Sequence, residues 1–248
     1  MAAPLGGLTA LGAMLSPLDG VGPRPDAIVA RISAAIGMGV MSDGEQLPSE
    51  VALATQLGVS TMTLRDALAV LRQRGLVETR RGRGGGSFVR AAEDALMAES
   101  RTRLRALSIQ DLRDLGDEHL AVSGAAALLA TQRAVAADIT RLRTLAQRLA
   151  DSDDRVPARR ADARFQIEIA VCAQSARLTR AEVNLQAELS GLKWLPQMSL
   201  TPADEGQRHH VLVDAIEAED EETARRLAET HSSATLRALI ALRMGRSP

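Results

Sequence analysis

Asp162, His209 and His231, in the C-terminal half of the chain, have side chains of the kind that bind metals. Helical spacing groups each with apolar residues: Asp162 with Phe165, Gln166 and Ile169, His209 with Val213 and Ile216, and His231 with Leu227. One carboxylate and two imidazoles facing a common interior could hold a divalent ion of the zinc class. By spacing alone, a loose set of this kind reads first as histidines satisfied by core hydrogen bonds. His210, next door, is expected to face elsewhere. The other chemistry-bearing group is arginine. Residues 61–90 carry seven arginines (Arg65, Arg72, Arg74, Arg80, Arg81, Arg83 and Arg90) against Asp66 and Glu78, in a chain whose formal net charge is −1. A positive field confined to one stretch predicts a polyanion partner for one domain only. Among 30 basic residues Lys193 is the single lysine, which reads as a bias of base composition without functional weight.

The elements that must position the arginines lie just before and among them. Leu47-Pro48-Ser49-Glu50 opens a short helix with Ser49 as cap, Gly58-Val59-Ser60 supplies a turn, a buried residue and a second cap, and a second helix runs from Thr61 to about Arg74, ending at Gly75. Ala54, Gly58, Val59, Leu64 and Ala67 fall where a helix-turn-helix needs small, turning and apolar residues, and Leu68 and Leu71 continue the buried stripe. Thr61, Met62, Thr63 and Arg65 are then exposed at the start of the second helix, placed to reach base edges or phosphates. Residues 76–80 and 87–90 read as two short strands around Gly82-Arg83-Gly84-Gly85-Gly86, a basic wing whose Arg80, Arg81 and Arg83 can approach the minor groove or neutralise phosphates. A helix around Ile28, Ile32, Ala35 and Ile36 precedes the motif, and residues 1–22 read as a flexible arm.

After Ala91 the pattern is continuously helical, with helices expected near 94–105, 109–118, 119–134, 137–150, 158–174, 178–194, 203–218 and 220–243, some of them merged. The fold class is therefore mainly α: an N-terminal winged helix-turn-helix over residues 23–91 and a C-terminal all-α helical bundle over residues 95–245. Few aromatic residues (Phe88, Phe165, Trp194) and abundant Leu, Ala and Val agree with packed helices. The single cysteine, Cys172, excludes a disulfide framework and reads as a small buried residue, and no stretch is apolar enough to span a bilayer, so a cytoplasmic location is expected. No serine or cysteine stands in a nucleophile's context and no glycine-rich phosphate loop follows a strand, so an enzyme is not expected.

The stretches LPSEVALATQLGVSTMTLRDAL and LRQRGLVETRRGRGGGSFV closely resemble the signature of the GntR family of bacterial transcription regulators, and HHVLVDAIEAEDEETARRLAETH resembles the helical effector-binding (FCD) domain of its FadR subgroup. The resemblance implies a homodimer on a palindromic double-stranded operator, probed by Ser49, Ser60, Thr61, Met62, Thr63, Arg65, Arg81, Arg83 and Gly84. It also implies repression relieved by a small-molecule effector of carboxylate type, with His119, Ser123, Gln166 and Ser175 as effector contacts, and a divalent ion (Zn or similar) on Asp162, His209 and His231. Gln166 stands where the family has a fourth ligand, a histidine. His119 stands where an arginine usually pairs with the effector acid, and Ser123 where a glutamate is usual. Val51 and Thr61 occupy positions where operator-reading arginines are common. Two readings of the helical domain stay open: an effector-controlled regulator, or a constitutive, architectural DNA binder whose helical domain no longer takes metal or effector.

Overall fold

Ser49 and Ser60 start the two helices that organise the N-terminal part. Each is extended at its own backbone, and its hydroxyl accepts a hydrogen bond from the first turn, Ser49 from Ala52 N at 3.3 Å and Ser60 from Thr63 N at 3.0 Å. The computed structural model describes residues 25–82 and 84–246. The expected flexible arm of residues 1–22 and the wing residue Arg83 lie outside them.

The first unit, which ends at Leu96, contains α1 (Pro25–Gly37), α2 (Glu50–Leu57), α3 (Thr61–Gln73) and the antiparallel pair β1 (Val77–Arg80) and β2 (Gly86–Val89). Between α2 and α3 the chain turns at Gly58, where φ of +68° is the left-handed conformation that a β-carbon disfavours. Ile28, Ile32, Leu53, Leu57, Leu64, Leu68 and Leu71 are fully buried in its core. Val59, read from sequence as buried, is half-exposed, because the tight turn carries it to the rim. In the wing, Val77 pairs with Val89 and Arg80 with Gly86, and residues 44–47 lie along the free edge of β2 through a bridge from Gln46 to Phe88.

The second unit begins at Met97. Among the described residues seven helices follow the wing: α4 (Glu93–Ala106), α5 (Ile109–Arg133), α6 (Ala136–Ala150), α7 (Arg155–Cys172), α8 (Ala176–Lys193), α9 (Pro202–Glu217) and α10 (Glu221–Arg243). The helices expected over 109–118 and 119–134 merge into one. No glycine cap or proline interrupts the stripe Leu112, Leu115, His119, Ser123, so one helix of 25 residues runs through it, started by a capping box between Ser108 and Asp111. Helices α5 and α10 pack along their lengths, α7 and α8 form an antiparallel hairpin, and α6 packs on α7 and α9. Gly206 is what lets α9 meet α6: a β-carbon there would stand 2.6 Å from Ala150 Cβ and 2.8 Å from its backbone nitrogen. No helix among the described residues is long and apolar enough to cross a membrane.

Candidate DNA-reading face and interior polar site

In the first unit three of the residues expected to read DNA share one outward edge of α3. Thr61, Met62 and Arg65 are exposed, with Met62 66% accessible, while Leu64, Ala67 and Leu68 anchor the opposite side. Side chains that project from the first turn of such a helix reach furthest into a major groove, and the free N–H groups of that turn favour phosphate oxygens. Arg65 is engaged: its Nε donates to Glu50 Oε2 at 2.7 Å, a pair that raises the guanidinium pKa through that hydrogen bond and then the carboxylate's charge. In the wing, Arg80 stacks on Phe88 at 4.3 Å and pairs with Glu78, so it is held by the sheet, whereas Arg81 and Gly84 are exposed at the tip. The three arginines read together from sequence therefore divide into one structural residue, Arg80, one exposed at the tip, Arg81, and Arg83 outside the described residues.

In the second unit a polar seam lies where an all-α core would be expected to hold leucine. Asp162 and Gln166 come from α7, Glu182, Gln186, Ser190 and Lys193 from α8, Glu205 and His209 from α9, His231 and Ser232 from α10, and His119 and Ser123 from α5. All are buried but His231, which is largely covered. The three expected ligands converge and Glu205 joins them: one ligand atom from each of Asp162, Glu205, His209 and His231 lies within 4.8 Å of the others.

A lysine ammonium stands among these atoms. Lys193 Nζ is 2.9 Å from Asp162 Oδ1, 2.9 Å from Asp162 Oδ2, 2.9 Å from Glu205 Oε2 and 2.9 Å from His231 Nε2. Trp194 next to it, fully buried, donates its indole N–H to Asp162 Oδ2 at 2.9 Å. Glu205 Oε1 takes Arg208 Nη1 at 2.5 Å. His209 stacks on Phe165 with ring centroids 3.9 Å apart, its Nε2 3.3 Å from Asp162 Oδ1 and 3.4 Å from Gln166 Nε2. The donor types suit a zinc-class ion, but the arrangement does not fit one. A divalent charge about 3 Å from an ammonium would be repelled by roughly 10 kcal/mol even at an effective dielectric of 20.

The electrostatics follow from burial and this ammonium. His209 and His231 are pushed down to about 3, first by burial and then by Lys193, so both are neutral at ordinary pH. Neutral His231 accepts at Nε2 from Lys193 and so carries its proton on Nδ1. Burial works against the charge of Lys193 and Glu205 alike, yet Asp162 and Glu205 together raise the Lys193 pKa, and Lys193 holds Glu205 below the usual carboxylate range. His119 is lowered to about 4 by burial and then by Lys193, and its Nε2 is buried with no partner among the described residues.

The expected effector contacts divide. Gln166 and His119 belong to the seam, and Ser123 Oγ lies 2.7 Å from Ser232 Oγ across α5 and α10. Ser175 is not part of it. Its hydroxyl caps α8, accepting from Leu178 N, at the far end of that 18-residue helix from Lys193. At 1.5 Å per residue that is about 27 Å away. Beside the seam is a cavity of about 380 Å³ lined by Gln166, Arg208, His209, Leu212, Leu227 and His231. Lys193, Glu205 and Arg159 carry little signal in the sequence. A lone lysine reads as compositional, Glu205 sits in a first turn where an acid complements the helix dipole, and Arg159 lies in an arginine-rich run. Arg159 is buried, hydrogen-bonds Ser190 Oγ at 3.3 Å and has no carboxylate in ion-pair range among the described residues; burial, and then Arg160, lower its pKa to about 10.

A second potential ligand set, Asp138, Glu168 and Cys172, is already bridged by Arg141, which pairs with both carboxylates. Burial and those two acids push the Cys172 thiol up to about 12, which agrees with its reading as a small, inert core residue.

Residues 25–86 match the family described as bacterial regulatory proteins, gntR family, and residues 114–234 match the FCD domain. Over 212 residues the chain is 43% identical to a Mycobacterium gastri protein provisionally named the HTH-type transcriptional regulator RmpR, covering 84% of this chain and 77% of that one. It is 31% identical over 217 residues to an Escherichia coli strain K12 protein provisionally named the L-lactate dehydrogenase operon regulatory protein, covering 84% and 83% respectively. A match of 34% over 118 residues, covering 47% of this chain and 45% of the other, is to the Glc operon transcriptional activator of the same strain. Among solved structures, E. coli McbR/YncC superposes with a TM-score of 0.50 at 16% identity, covering 90% of this chain and 98% of that one, a likeness of fold alone.

Proposed function

This chain belongs to the GntR family of bacterial regulatory proteins and carries an FCD domain, and from that premise we propose a cytoplasmic homodimer that represses transcription from a palindromic operator until a small acid binds its helical unit. A chain of this family is a DNA-binding transcription regulator and not an enzyme. The finer reading assigns base and phosphate contacts to Thr61, Met62, Thr63 and Arg65 on α3, to Ser49 and Ser60 at the helix starts, and to Arg81, Arg83 and Gly84 on the wing. Two such heads related by a twofold axis match an operator of two half-sites about one helical turn apart.

The observation that carries effector control is the cavity of about 380 Å³ whose wall includes His209, His231 and Gln166. It is large enough for a small metabolite. It also adjoins a buried polar seam that costs stability in a bundle otherwise built of leucine and alanine. The acid class is supported by Arg208 on the cavity wall and by a relative named for an L-lactate dehydrogenase operon.

The test is operator mapping by footprinting on the full chain, followed by a screen of small hydroxy and carboxylic acids for two effects together. An effector should raise the melting temperature of the helical unit and release the operator in a mobility-shift assay. Operator binding that no acid alters, with no acid shifting the melt, would replace this reading with that of a constitutive DNA binder.

A further inference from the structure

We infer that Lys193 is the resident cation of the interior site: its ammonium stands where the converging donors would otherwise hold a divalent ion, and the helical unit is built to work without metal. Three features carry this. First, Lys193 Nζ hydrogen-bonds Asp162 Oδ1 and His231 Nε2 at 2.9 Å each and pairs as an ion with Glu205 Oε2 at the same distance, so three groups surround a cation that has three hydrogens. That is the length of a charged hydrogen bond, about 0.8 Å longer than a zinc–nitrogen or zinc–oxygen bond. Second, the position that completes the ligand set by resemblance is Gln166, an amide that cannot be deprotonated to bind a metal strongly, and it lies 3.4 Å from His209 Nε2. The loss of one ligand and the gain of a competing cation act in the same direction. Third, the choice of residue runs against the composition of the chain. Of 30 basic residues one is lysine, and it is the one that fills this hole. A planar arginine fork cannot point three donors at three acceptors around one centre, whereas a compact ammonium can. The bias toward arginine elsewhere makes this lysine a requirement of geometry.

The charges also balance without an ion. Two carboxylates of essentially zero exposure, Asp162 and Glu205, face Lys193, and Arg208 takes the second oxygen of Glu205. Trp194 fixes the remaining freedom of Asp162 by donating to Oδ2. Two carboxylates and an imidazole already crowd Nζ, so an effector in the neighbouring cavity meets His209, His231 and Gln166 and not a Lewis acid. The inference rests on the geometry around Nζ and not on the acid-effector reading, so either can fail alone.

Because the sequence has one lysine, the full-length protein grown with ¹⁵N-lysine gives one side-chain ammonium signal, and zinc chloride serves as the probe. The expected result is a slowly exchanging ammonium signal that neither chelator nor one equivalent of Zn²⁺ moves, with a melting temperature indifferent to chelator. Loss of that signal on stoichiometric Zn²⁺, or a melting temperature that falls with chelator, overturns the inference. A second measurement uses Lys193→Ala, which empties the centre. It should bind one Zn²⁺ about 100-fold or more tighter than the parent, since two carboxylates and two imidazoles are then free to ligate, and adding Asp162→Asn should abolish the gain. A folded Lys193→Ala protein with no gain, or a gain that survives Asp162→Asn and so belongs to surface groups, also overturns it. If Lys193→Ala does not accumulate in folded form, the ammonium signal of the parent decides alone.

Discussion

Glu182 should make this protein lose stability as pH rises through neutrality, and Glu182→Gln should remove that loss. The carboxyl is 1% exposed on α8, accepts one hydrogen bond from Gln186 Nε2 at 2.7 Å, and has no partner at Oε2 among the described residues. Burial, reinforced by Asp162 and opposed by that hydrogen bond, pushes its pKa from 4.5 up to about 7. For an acid raised in the folded state the sign is fixed. Below pH 4.5 both states hold the proton and nothing is lost; between 4.5 and 7 the unfolded chain ionises while the folded one does not, so stability falls; above 7 the full penalty is present. Taking 1.36 kcal/mol per unit, the penalty grows by about 2.5 kcal/mol between pH 5 and pH 8. Glutamine keeps the acceptor for Gln186 but puts an unpartnered NH₂ at the other position, a cost of about 1–3 kcal/mol that is the same at every pH. The measurable quantity is therefore the difference between variant and parent as a function of pH. Trp194 is the only tryptophan and lies in the helical unit, so its fluorescence follows that unit in the full chain. Relative to the parent, the variant should gain roughly 5–10 °C in melting temperature between pH 5 and pH 8. A difference flat with pH would refute the claim that Glu182 is held neutral by burial.

Arg65→Ala should weaken operator binding and lower the slope of log affinity against log salt by about one unit, the mark of one lost phosphate contact; filter binding between 50 and 200 mM salt reads both, and an unchanged slope removes Arg65 from the phosphate interface. Gly206→Val should cost about 3 kcal/mol, because its side chain would press on the backbone of Ala150 and Ala146 and force α9 from α6. Urea unfolding measures it, and a loss under 1 kcal/mol would mean that the contact between these helices is looser than described.

What the sequence discloses is local. Ser49, Ser60, Ser108 and Asp220 each cap the helix that follows, because capping depends on the neighbouring backbone alone. Which of the expected helices merge is not legible: His119 and Ser123 interrupt the apolar pattern without interrupting the helix, because their polar groups are buried in the seam and not turned to water. Asp162, His209 and His231 were legible as a set, and they converge. Lys193 was not, for an instructive reason. Charge on a helix is ordinarily solvated, so sequence reasoning assigns a lysine to the surface unless a partner is visible, and its partners Asp162, Glu205 and His231 lie on three other helices. Arg80 shows the converse: it looks like a DNA contact in a basic run, yet it is stacked on Phe88 and tied to Glu78.

The burial of Lys193 reaches beyond the site it occupies. Enzymes that acylate proteins, or attach small-protein tags through isopeptide bonds, need an accessible ε-amino group, and the one such group in this sequence is 5% exposed and bonded to acids and an imidazole. While folded, the regulator offers no lysine to that chemistry, so control exerted through lysine modification acts on it only after the helical unit has opened.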